Sequence, residues 1–166
     1  MPGLEFLNEV VLAADATTTG AITIEARDLL LVVYRIVGYS AAGKASLRFN
    51  ADSAGNYWDR SLSSAQGATT FTNTQTASTT LIRLARVSVT TGRVGYAIIA
   101  NKLATSKLVK FMTDTSTAAA ATVGTVELGA GEWINTAAQI TSIEMLLPAA
   151  GNLLAGTGFS VYGRNM

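Results

Sequence analysis

The sequence predicts an all-β protein folded as one domain, and three observations carry that prediction. Hydrophobic residues recur with a period of two: Ile22 and Ile24 alternate with Thr23 and Glu25, Leu47 and Phe49 with Ser46 and Arg48, Ile143 and Met145 with Ser142 and Glu144, Phe159 and Val161 with Ser160 and Tyr162. That period sends one set of side chains to a core face and the other toward solvent or a partner. Glycines interrupt the runs at Gly20, Gly38, Gly43, Gly55, Gly92, Gly124, Gly129, Gly131, Gly151 and Gly156. Many short strands between turn signals read as a sandwich or barrel. Finally, 166 residues suffice for a self-contained core, and no linker or fixed-period repeat divides them, so residues 1–166 are expected to form a single domain.

Taken in order, residues 6–13 read as a first strand, with residues 1–8, which include Pro2 and the apolar pair Phe6 and Leu7, also eligible as an N-terminal arm. Residues 29–33 are continuously apolar and rich in branched side chains, as expected of a strand covered on both faces. Residues 93–100, 106–112, 123–128 and 132–135 supply further strands. The stretch 80–89 is ambiguous: a strand with a bulge near Ala85 and Arg86, or a short helix presenting Leu81, Leu84, Ala85 and Ser88 on one side. Two uncharged stretches, 61–80 and 115–122, read as loops, with an edge strand over 69–74 as the alternative in the first.

Composition excludes several function classes. The chain has no Cys and no His, which removes disulfides, thiolate and imidazole metal sites, cysteine nucleophiles and every Ser-His-Asp arrangement. No close acidic pair suggests a carboxylate dyad, so neither catalysis nor a cofactor is expected. The formal charge is +1 and the basic residues are scattered, which argues against a nucleic-acid groove. Lys102, Lys107 and Lys110 come nearest to a cluster and read as a solvated strand face. No apolar run approaches the ~18 residues of a membrane span. The opening residues lack the pattern of a secretory signal, so cytoplasmic synthesis without export is expected. Charged residues make up only 14 % of the chain, against ~25 % in ordinary domains. So neutral a surface favours association, and an obligate oligomer or a part of a larger assembly is expected.

The least generic stretch is 46–60, SLRFNADSAGNYWDR, a strand running into a turn. Asn50, Asp52, Asn56 and Asp59 are oxygen donors of the kind calcium takes, but their spacing is not that of a helix-loop-helix calcium site. Side-chain caps on the turn from Asn50 and Asp52, with a positive φ at Gly55, account for them instead. Tyr57 and Trp58 then fall on opposite faces, one for the core and one free to stack on a sugar or a neighbouring subunit; Trp133 offers the same choice. Just upstream, GYSAAGKA over 38–45 matches the start of a phosphate-binding loop. It fails at Ala45, where a hydroxyl would ligate magnesium, and because a strand follows where a helix is required. It reads as a hairpin turn with an exposed lysine. Gly156, Thr157 and Gly158 lack the third glycine and helix of a dinucleotide fingerprint.

The block LRFNADSAGNYW over 47–58 resembles a pattern of small bacteriophage and prophage structural proteins, in which a strand ends in R-F-N-G-D before a short turn and N-Y. Residues 29–38, an apolar strand ending in V-G, and residues 140–163, ending in G-T-G-F-S-V-Y-G, agree in order and spacing. Ala51 stands where that group usually has Gly, and Thr157 where Ser is common. The resemblance implies a jelly-roll-like β-sandwich with little or no helix. Phe49, Asn50, Asp52, Gly55, Asn56 and Tyr57 form its turn signature. It further implies a capsid decoration (cement) protein on the outer surface of the virion, made in the host cytoplasm. Its partners would be the major capsid protein and two more copies of itself in a homotrimer. Phe6, Leu7, Trp58, Phe71 and Trp133 are the side chains assigned to an interaction surface. The other class of function in that group is a tail or fibre module that binds host glycan through loops bearing Tyr57, Trp58, Phe71 or Trp133.

Overall fold

The computed structural model describes residues 3–64, 70–84, 92–115 and 125–166, and within them the protein is a two-sheet antiparallel β-sandwich without helix. Its strands are β1 (Glu5–Val11), β2 (Thr18–Thr23), β3 (Leu29–Ile36), β4 (Ser46–Phe49), β5 (Tyr57–Ser64), β6 (Thr72–Thr79), β7 (Ile82–Arg83), β8 (Arg93–Ala100), β9 (Lys107–Thr115), β10 (Val126–Trp133), β11 (Ser142–Leu146) and β12 (Gly158–Arg164). Eight form one sheet in the order β1-β12-β3-β8-β9-β10-β5-β6, and four form the other in the order β2-β11-β4-β7.

Alternation decides which side chains meet between the sheets. From the large sheet, Leu30, Val32, Tyr34 and Ile36 of β3, Ala97 and Ile99 of β8, and Val109 and Phe111 of β9 point inward. Leu47 and Phe49 of β4 and Ile143 and Met145 of β11 join the same core from the small sheet. The inner phase also tolerates glycine inside β10. A Cβ at Gly129 would lie 1.9 Å from the Phe111 ring, so the ring occupies that space. The expected break between strands at 123–128 and 132–135 is therefore a single strand running through Gly129 and Gly131.

Other expectations are corrected in the same way. Most of 61–80 is strand: Ser61–Ser64 completes β5, and Thr72–Thr79 is the edge strand β6, whose hydroxyl and amide side chains suit a solvent-facing edge. Residues 65–69 lie outside the described residues, as do 85–91, where the bulge or short helix was placed, and most of 115–122. The segment 38–45 is a crossover from β3 in the large sheet to β4 in the small one, not a hairpin, and Lys44 on it is half-buried. From Glu5 onward the residues considered as an arm are seated in β1, hydrogen-bonded to β12.

Candidate functional site

The signature block folds into a locked corner. Phe49, Asn50, Ala51 and Asp52 make a tight turn closed by the Asp52 amide donating to the Phe49 carbonyl at 2.9 Å. Its central residues Asn50 and Ala51 both have positive φ, 50° and 55°, as in a type I′ turn. The left-handed positions are thus Asn50 and Ala51, and Gly55 does not supply one. Gly55 matters for space instead, because a Cβ there would sit 2.8 Å from the Ser78 hydroxyl. An L-residue pays roughly 1–2 kcal/mol for the left-handed conformation. Ala51→Gly is therefore expected to stabilise the fold by about 0.5–1 kcal/mol after the extra freedom of the unfolded chain is subtracted, a gain that thermal melting reads directly.

Each polar residue of the corner has a structural task. The Asn50 carboxamide donates to the Gln139 carbonyl at 2.8 Å and accepts from the Thr141 and Ser142 amides at 2.9 and 3.0 Å, which fixes the entry to β11. Asp52 accepts from the Ala54 amide, the Asn56 carboxamide and the Trp133 indole N–H. Trp133 is fully buried and stacks on Tyr57 at 6.2 Å, with Phe49 at 6.0 Å from both rings. It belongs to the core and not to the interaction surface assigned from the sequence, because its position in β10 falls on the inner phase. Tyr57 is likewise buried; its hydroxyl accepts from the Phe49 amide, and burial pushes its pKa up.

Asp52 also sets an acid response. Burial disfavours its charged form, but the hydrogen bonds from Asn56, Trp133 and Ala54 outweigh that and hold its pKa below the usual 3.8. A carboxyl whose folded pKa is lowered adds stability that is complete above its unfolded pKa and is lost as pH falls through the folded value. Asp52→Asn is thus expected to weaken the protein at pH 7 and to flatten the loss of stability below about pH 4. Urea midpoints at pH 7 and pH 3 check this; equal pH dependence in the two proteins would refute it.

The sequence did not reveal how much charge lies inside. Asp59, Arg93, Lys107 and Glu127 are all buried on the inner face of the large sheet. Asp59 accepts from both the backbone and the guanidinium of Arg83, and Ser61 donates to Glu127. Lys107, read as part of a solvated face, opens β9 on the inner phase; its ammonium donates to the carbonyls of Thr105 and Asn135, and burial lowers its pKa. No group of three or more metal-ligating side chains occurs among the described residues.

The opposite, outer face of the large sheet is mostly apolar and, among the described residues, uncovered. Val33, Tyr96, Met112, Leu128 and Leu62 stand side by side across β3, β8, β9, β10 and β5. On one side runs the row Leu31, Ile98, Lys110, Ala130 and Arg60, and on the other Arg35, Val94, Asp114, Val126 and Ser64. Val33, Val94, Tyr96, Ile98, Leu62, Val126 and Leu128 are 39–58 % exposed, so apolar side chains run side by side across this face. Two residues assigned to an interaction surface lie at its margins. Phe6 packs edge-to-face on Tyr162 next to Leu31, and the half-buried Trp58 donates its indole N–H to Glu132 on the β5 side. Leu7 turns inward against the core, and Phe71 is exposed just before β6. A separate open groove beside β5 and β6 is lined by Asn56, Trp58, Gln75, Ser78 and Ile134.

Comparison with known proteins found no matching family model and no matching curated protein. Among solved structures, the chain is similar to scytalido-glutamic peptidase with a transition state analog inhibitor, at TM-score 0.36 and 10 % identity over 92 % of this chain and 76 % of that one. It is also similar to Eiger TNF from S. frugiperda, at TM-score 0.23 and 6 % identity over 96 % and 88 %. Scores this low transfer nothing about activity to this chain.

A signal for the outer face does exist in the sequence. In β8, Val94, Tyr96 and Ile98 are apolar while their out-of-phase neighbours Ala97 and Ile99 are apolar too. Residues 29–33 carry the same double pattern. Their inner side chains are buried, but Val33 on the outer side remains 40 % exposed. Among the described residues, a strand whose sequence suits cover on both faces is covered on one.

Proposed function

We propose that this protein is a bacteriophage capsid decoration protein that binds the outer surface of the major capsid protein and reinforces the head. The observation that carries the reading is the open apolar face of the eight-stranded sheet, which suits a permanent part of an assembly. Binding only the assembled shell, at many equivalent sites, would stabilise it by mass action and avidity. The signature turn then serves as structure: its donors and rings are spent on one another. The reading assigns no catalytic step to the chain.

The groove beside Trp58, with its amide and hydroxyl neighbours, favours one second reading, a tail or fibre module that binds host glycan. One experiment separates the two. Purified protein is sedimented with capsids stripped of accessory proteins and, separately, with host cells. Saturable capsid binding at a fixed ratio to coat protein supports decoration. Cell binding that soluble glycan competes away would sink it.

A further inference from the structure

We propose that the outer face of the eight-stranded sheet is a self-complementary interface on which a second copy of this chain stacks about a two-fold axis. The axis lies in the plane of contact along the row that holds Met112. Turning a second copy about it lays that row on itself and exchanges the two flanking rows. On β9 the flanking residues are Lys110 and Asp114, two positions on either side of Met112. Each Lys110 then faces the second copy's Asp114, twice over by symmetry. On β8 the same operation sets Ile98 against the second copy's Val94.

Three observations support the self-match. First, Lys110 and Asp114 are exposed, and no hydrogen bond or ion pair among the described residues engages either side chain. Four residues apart on one strand they are roughly 13 Å from each other, beyond the ~8–10 Å screening length, so they do not serve one another. Second, across β3, β8, β9, β10 and β5 no charge in the three central rows meets its like: Arg35 falls over Leu31, whose surface its stem can cover, and Arg60 over Ser64, while at the β1 edge the exposed Glu9 falls on its own copy. Third, eight strands ~4.8 Å apart and about 20 Å of strand length give a footprint of roughly 700 Å² before side-chain relief, close to the ~800 Å² per partner of a stable interface. A three-fold assembly, as the resemblance implies, needs two different matching patches, whereas this face matches itself.

The inference draws on the same face as the decoration reading, and the two fail in distinguishable ways. A dimer that ignores capsids keeps this interface and removes the decoration reading, while a monomer that decorates does the reverse. The test is the mass of the full chain in solution, by light scattering across a concentration series, for wild type, Lys110→Glu, Asp114→Lys and the double swap. Wild type is expected to pass from monomer to dimer as concentration rises. Each single change sets like charges across the axis and is expected to weaken the dimer at least tenfold; the double swap restores it to within about threefold. Both substituted positions are exposed, and far-UV dichroism checks the folding of each variant. A wild-type monomer at about 100 µM, a trimer, or a double swap no tighter than the single changes would overturn the proposal.

Discussion

Trp133→Ala is expected to cost about 3–5 kcal/mol, a large part of the ~5–15 kcal/mol that holds an ordinary domain together. The indole is fully buried and lies against Tyr57 and Phe49. Its removal leaves a cavity at the junction of the two sheets, since Phe49 belongs to β4 and Tyr57 to β5. The loss also strips Asp52 of its indole donor at 2.7 Å and so loosens the signature turn. Trp133→Phe keeps most of the ring but not that donor, and is expected to cost about 1–2 kcal/mol. Chemical denaturation at pH 7 reads both, and an alanine variant with a wild-type midpoint would show that the cluster is not the lock described.

The second large effect is expected at Asp59. The carboxylate is fully buried on β5 and receives the guanidinium of Arg83 at 3.2 Å and its backbone N–H at 3.3 Å. Arg83 belongs to β7, the two-residue strand at the edge of the small sheet, so this pair ties one sheet to the other. Removing one partner of a buried pair costs about 3–5 kcal/mol because the other charge stays behind uncompensated. The Arg83 side chain keeps 20 % of its exposure, which places Asp59→Ala near the lower end, at about 3 kcal/mol. Adding Arg83→Met to that variant is expected to recover part of the loss, and a double-mutant cycle by urea unfolding measures it. Strict additivity of the two changes would contradict the pairing.

Fold and site were legible in the sequence to different depths. Period-two alternation is a local property, so β4, β11 and β12 could be read from Leu47, Ile143 and Phe159 with their neighbours. β6 was harder, because an edge strand needs no apolar face and Thr72–Thr79 has none. Pairing also stayed hidden: β12 lies between β1 and β3, and no short-range signal specifies so distant a neighbour. Residues 49–52 do form a turn, yet the partner Trp133 lies more than seventy residues away, and only the shared corner shows that the ring is core. The buried charges escaped for the same reason, since Asp59 and Arg83 meet through the sandwich and not along the chain. The outer face was half visible, marked at its margins by Phe6 and Trp58, while Tyr96 and Met112 at its centre passed as ordinary strand residues.

The central claim is that the open face of the large sheet is a contact surface, and the methionines offer a direct test. Met112 lies on that face, half-buried in the single chain; Met145 is fully buried in the core, and Met166 is 73 % exposed at the C-terminus. Oxidation by dilute peroxide, followed residue by residue by mass spectrometry, compares the three in dilute protein, in concentrated protein and on capsids. The account predicts that Met112 slows toward Met145 as the chain associates while Met166 stays fast. A Met112 that oxidises at one unchanged rate in all three samples would contradict it.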